Sequence, residues 1–277
     1  LLTLKIQFRD YKKDYTKAIQ DCLDLVKFGQ HLEKTGNSFS KRIGMVIESN
    51  GYKNLRDVSF RVKGLSYPHL LENIQSFKNN IETRQHFEEI LKKESSDIKP
   101  YVSPLLLSEK DWEQFKESYA ASGYTQEDII KSIGNCYLDA ISYIALPYNE
   151  GLKSWELPEK PRNPVRNILM PILRNIYIEC GRLDTERDAT LIIVGLEYYY
   201  NKNNKYPEKL LDLVPKYLSS LPNDPFTGES FIYQRIGKGW QMYSIGSDLK
   251  NDFGEKNSYS SEDGTGDIIF YKEQPTL

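Results

Sequence analysis

Leu221-Pro222-Asn223-Asp224-Pro225-Phe226-Thr227-Gly228 separates two kinds of sequence in this chain. Pro222 and Pro225 bracket Asn223-Asp224 and exclude helix there, because each ring fixes its own φ and biases the preceding residue toward extended geometry. Just upstream, Tyr206-Pro207 predicts that a helix running through Tyr198, Tyr199 and Tyr200 stops near Asn201–Asn204. Downstream, Glu229–Ile236 and Trp240–Ile245 read as two strands, with Phe231, Ile232, Tyr233 and Ile236 supplying aromatic and β-branched residues. Gly237-Lys238-Gly239 between them offers the positive φ of a tight hairpin. The expectation is a small antiparallel sheet packed on one long helix.

That helix is expected over about 165–202. Val165, Leu169, Ile172, Ile176, Cys180 and Leu183, then Leu191, Val194 and Tyr198, recur at intervals that make one buried stripe. Arg166, Arg174, Glu179, Arg182, Asp184, Glu186, Arg187 and Asp188 interrupt any membrane span, which needs roughly twenty mostly apolar residues. Pro171 either kinks the helix or marks its first turn.

The first 160 residues read as helical. Tyr11–Lys34 places Tyr15, Ile19, Cys22, Leu23, Val26 and Leu32 near one face. Ser38–Glu48 is expected to end at Asn50-Gly51, and Pro68–Lys93 forms a further amphipathic run. Ser108-Glu109-Lys110-Asp111, before Trp112 and Phe115, resembles a helix start, as does Thr125-Gln126-Glu127-Asp128 before Ile129. The last of these helices reaches about Leu146, and Tyr148–Asn163 reads as a linker carrying Pro158 and Pro161. No 34-residue self-similarity supports a repeat array, so an irregular bundle is expected. The fold class is thus α+β: an all-α bundle over 1–160, then a domain over 161–277 whose sheet spans about 229–272.

At 277 residues and 39% hydrophobic content the chain can bury an ordinary core, although its mean hydropathy of −0.59 is polar. A net charge of −2 gives no case for nucleic acid or an anionic membrane as partner. The charge is uneven, with fifteen acids against ten bases from Asp184 onward. Cys22, Cys136 and Cys180 sit in apolar helical contexts without zinc spacing and read as buried small hydrophobes. A single Cys136–Cys180 disulfide is open to the chain in an oxidising compartment. Glu82 and His86 share a helix face with Glu89 beyond, but the paired E-x-x-H units of a di-iron bundle are missing. No HExxH, G-x-S-x-G, Walker or G-x-G-x-x-G motif occurs. The aromatic and charged residues of Ser108–Tyr124 read as ordinary helix surface rather than a cleft.

The order of a long helix, Tyr206-Pro207, Leu221-Pro222-Asn223-Asp224-Pro225, Tyr243-Ser244-Ile245-Gly246-Ser247-Asp248 and Gly266-Asp267-Ile268 resembles the globular head of bacterial type II secretion pseudopilins, the major pseudopilin above all. The likeness covers about residues 165–277. Asn163-Pro164 to Leu169 and Pro171 also resembles the N-P-x-x-x-x-L-x-P entry of bacterial proteins in which a helical region precedes such a head. The likeness implies a cell-envelope protein, periplasmic or otherwise extracytoplasmic, that contacts protein partners. With the Leu1-Leu2 start it also implies an anchor upstream of Leu1.

The Gly246–Asp267 loop is the best candidate for chemistry. Asp248, Asp252, Glu255, Glu262, Asp263 and Asp267 face only Lys250 and Lys256, and Gly254, Gly264 and Gly266 free the backbone to turn carbonyls inward. Calcium suits crowded carboxylates because it takes 6–8 oxygen ligands in irregular geometry. The resemblance implies calcium ligation by Asp248 and Asp267; Asp252 joins them by charge and spacing. The loop is longer than the family's and carries Phe253-Gly254 in place of a paired glycine, and its spacing is not that of an EF-hand. Two functions follow. One is a non-enzymatic envelope protein whose calcium-held head makes protein contacts. The other is a metal-dependent hydrolase with its site between bundle and acidic loop.

Overall fold

The computed structural model describes residues 2–35, 38–62, 66–80, 83–96, 123, 125–155, 164–255 and 266–272. The fold is α+β. Helices α1 (Leu2–Tyr11), α2 (Tyr15–Thr35), α3 (Ser38–Ser59), α4 (Tyr67–Asn80), α5 (Thr83–Ser96), α6 (Gln126–Ile144) and α7 (Tyr148–Trp155) precede the 40-residue α8 (Pro164–Asn203). A short 3₁₀ turn, Leu210–Leu213, follows. Then come β1 (Ile232–Ile236), β2 (Gly239–Ser244) and β3 (Ile268–Lys272), antiparallel in the order β1-β2-β3.

Several expectations change for physical reasons. The Tyr11–Lys34 run starts later, because Lys13 at φ 58 turns the chain between α1 and α2. Asn50-Gly51 does not end α3. It lies where α3 crosses α2, and a Cβ at Gly51 would fall 2.6 Å from Val26 Cγ2. A Cβ on Gly29 or Gly44 would likewise sit 2.6 Å from the other's carbonyl oxygen, so these glycines set the close approach of the two helices. The Pro68–Lys93 run is two helices, α4 and α5. Tyr148–Trp155 is no linker but a helix that buries Tyr148, Leu152 and Trp155, with Gly151 against the Tyr177 hydroxyl. The expected start at Ser108–Asp111 and the rest of the linker lie outside the described residues, as does Glu82.

Other expectations hold. Thr125 caps α6: its Oγ1 accepts from Asp128 N at 3.2 Å while Asp128 Oδ2 accepts from Thr125 N at 2.8 Å. Helix α8 ends at Asn203 as Pro207 requires, and Pro171 lies inside it. Gly237 takes φ +57 in the two-residue turn that sets Ile236 opposite Gly239.

Helix α8 is more than a stripe. Residues 187–197 are all buried, since α3, α4, α5 and α6 pack on it while Leu218 and Phe226 press on Gly195 and Gly181. Trp240 and Met242 of the central strand and Phe270 of β3 join the same apolar core. Trp240 meets Phe60 beyond α3 and Tyr206 beyond α8, each with ring centroids 6.3 Å apart. Among the described residues no helix is long and apolar enough to cross a membrane.

Candidate functional site

The Leu221–Gly228 turn is built around Asp224. Its Oδ1 accepts from Phe226 N at 3.0 Å and from Ser244 Oγ at 2.9 Å, which ties the turn to the end of β2. Burial raises the Asp224 carboxyl pKa and those donors oppose the rise. Asp224 thus shapes the turn.

The acidic loop leaves β2 at Gly246 and returns at Gly266, whose carbonyl oxygen would lie 2.2 Å from a Gly246 Cβ. Asp267, fully buried, accepts from Gly254 N at 2.8 Å and Asp252 N at 3.3 Å. Asp248 accepts from Lys250 N at 3.1 Å and Gly266 N at 3.2 Å. Burial raises the Asp267 pKa, the two backbone donors oppose it, and the charges of Asp252 and Asp248 add to the rise. The charges of Asp252 and Asp248 thus bear on Asp267 across the loop's mouth. Among the described residues no group of three or more His, Cys, Asp or Glu is gathered closely enough to hold a metal ion. Glu262, Asp263 and Gly264 lie outside the described residues. Oxygen donors are the kind calcium takes, and the Asp248 and Asp267 oxygens keep a second lone pair beyond their backbone donors.

A second candidate site lies between bundle and head, on residues other than those of the acidic loop. A cleft of about 830 Å³ opens between α8, the bundle and the Ser220–Pro225 segment. Asp184, Arg187 and Asp188 of α8 line it with Arg84 and Tyr148; Asp248 and Asp252 do not. Arg84 donates to the Leu146 carbonyl and lies over the Tyr148 ring, 5.6 Å from its centroid. Arg187 donates to Asp184 Oδ1 and to Thr83 Oγ1, both at 2.9 Å. Thr83 and Tyr148 donate to Asp184 at 2.7 and 2.9 Å.

From this floor a polar network runs into the α2–α3 hairpin. Arg187 lies 3.7 Å from Glu48, which also accepts from Gln30 at 3.0 Å and Tyr52 at 2.9 Å. Beyond it Lys41 donates to Glu33 at 3.1 Å, with both side chains fully buried. Burial pushes the Glu33 pKa up, Lys41 opposes this, and Glu48 adds to it. Glu33 Oε1 and Glu48 Oε2 are buried without a hydrogen-bond partner among the described residues. For Arg187, burial works downward, but Asp184, Tyr52, Glu48 and Asp188 outweigh it and hold the guanidinium well above its ordinary value. Ionisable groups clustered this way beside a cleft mark a functional candidate, since buried ion pairs are weak evidence for stability alone.

Comparison with protein-family models, curated proteins and solved structures finds no match for this chain. The signal for the network was legible but unused. Cys22, Val26, Gly29 and Glu33, and then Lys41, Gly44, Glu48, Gly51 and Leu55, are spaced by threes and fours, which puts charged side chains in core phase. The three cysteines are buried free thiols, so the Cys136–Cys180 bridge is absent. Burial raises the Cys22 thiol to about 12 and the Cys136 thiol to about 11.

Proposed function

We propose that this chain is a non-enzymatic protein of the bacterial cell envelope. Its C-terminal, pseudopilin-like head makes protein contacts related to secretion machinery, and one calcium ion held by Asp248, Asp252 and Asp267 orders the contact loop. The observation that carries this is the placement of a buried Asp267 beneath a loop whose mouth also holds Asp248 and Asp252. Their mutual repulsion falls when a cation enters. The order of long helix, Asp224 turn, hairpin and closing strand supports the same reading. The site is extracytoplasmic, where calcium at submillimolar to millimolar concentration is available to weak sites. Thermal melting in calcium against chelator tests it. Wild type should gain about 2.7 kcal/mol at a hundredfold excess over Kd, and Asp248→Ala and Asp267→Ala should lose that gain. Equal responses in all three would place the site elsewhere.

The cleft favours a second reading, a hydrolase with its site between bundle and head. Its carboxylates would be Asp184 and Asp188 rather than those of the acidic loop. Turnover of p-nitrophenyl phosphate or acetate that disappears in Asp188→Asn would support it, and no turnover in wild type with added divalent cations would end it.

A further inference from the structure

Helix α1 has two apolar faces, and only one is covered. Ile6 is buried and Leu2 packs on the core, whereas Leu4, Phe8 and Tyr11 are 66%, 61% and 81% exposed. At 3.6 residues per turn these three fall within an arc of about 60°, bordered by Lys5 and Lys12. The Lys12 ammonium lies 5.7 Å from the Phe8 ring centroid.

Charge on this face is positive although the whole chain carries −2. Residues 2–17 hold Lys5, Arg9, Lys12, Lys13 and Lys17 against Asp10 and Asp14. Both acids are already paired, Asp10 with Arg61 and Asp14 with Lys17. Asp21 of α2 is shared by Lys5 and Arg9. Among the described residues Lys12 and Lys13 make no ion pair, so the turn after α1 presents uncompensated cations beside the exposed stripe.

We infer that α1 is an interfacial helix that docks this protein on an anionic lipid surface, with Leu4, Phe8 and Tyr11 entering the headgroup boundary and Lys12 and Lys13 meeting lipid phosphates. A protein partner fits less well. A helix of 10 residues offers a footprint on the order of 150 Å², against roughly 800 Å² per partner in a stable complex. Two copies would also bring like charges together. A bilayer needs neither a large footprint nor a matching pocket. The inference stands on α1 alone and is independent of the acidic loop.

Flotation with vesicles of phosphatidylglycerol and phosphatidylcholine, against phosphatidylcholine alone, tests it on the whole chain. Wild type should bind only the anionic vesicles, less so as salt rises. Lys12→Gln and Lys13→Gln should each weaken binding about fivefold, and Leu4→Gln/Phe8→Gln should abolish it while melting as wild type does. Phe39→Gln/Ile43→Gln, on an exposed apolar stripe of α3, should bind unchanged. Absence of binding by wild type, or undiminished binding by the α1 variants, would overturn the inference. So would self-association in sedimentation velocity that only the α1 variants abolish, since the occupant would then be a second copy.

Discussion

Replacing Arg187 by Met removes a guanidinium that joins the cleft floor to the α2–α3 hairpin. It leaves Asp184 and Glu48 in place, and Arg187 contacts these at 2.9 and 3.7 Å. Breaking a buried pair by removing one partner costs about 3–5 kcal/mol. The lower end applies here. Asp184 keeps donors from Thr83 and Tyr148, and Glu48 keeps those from Gln30 and Tyr52. With an unfolding entropy of about 2.1 cal/mol/K per residue, 277 residues give roughly 0.6 kcal/mol/K, so a loss of about 3 kcal/mol lowers Tm by about 5 °C. The double variant Arg187→Met/Glu48→Gln should be more stable than the sum of the single changes, by about 1 kcal/mol. Urea and thermal unfolding of the four proteins measure this cycle. A loss under about 1 kcal/mol for Arg187→Met, or strict additivity, would refute a coupled buried network.

Gly44→Ala should destabilise by about 1–3 kcal/mol through overpacking at the crossing, although alanine gains about 1 kcal/mol in an open helix; stabilisation in urea would show that α2 and α3 lie farther apart. Burial, then Lys41 and Lys34, lower the His86 pKa from 6.5 to about 4. The unfolded chain therefore takes up this proton first, and stability present above pH 6.5 is lost as pH falls toward 4. His86→Gln should flatten that limb in melts stepped through pH, and an NMR midpoint near 6.5 would contradict it. The thiols of Cys22, Cys136 and Cys180, buried and shifted upward, should react with a disulfide reagent only on unfolding; rapid labelling of the native protein would show them exposed.

Local chemistry was legible where one residue dictates geometry. Pro207 limits α8, Thr125 caps α6, and Gly237 closes the hairpin. Asn50-Gly51 misled because the pair that favours a helix end in open chain also lets two helices approach closely. Tyr148–Trp155 was obscured by the prolines that follow it in sequence. The α8 charges at Asp184, Arg187 and Asp188 rightly excluded a membrane span, but their partners Glu48 and Thr83 are more than a hundred residues away. Spacing on one helix cannot reveal a pairing of that kind. The acidic loop was visible as composition, whereas the backbone donors that hold Asp248 and Asp267 emerge only from the folded turn.

Calorimetric titration of calcium into chelator-treated protein tests the proposed function most directly. One ion per chain should bind wild type, with binding lost in Asp267→Asn and weakened in Asp248→Asn and Asp252→Asn while all three variants keep the wild-type far-ultraviolet spectrum. Absence of binding heat at millimolar calcium, together with an unchanged melting temperature, would contradict a calcium-ordered contact loop.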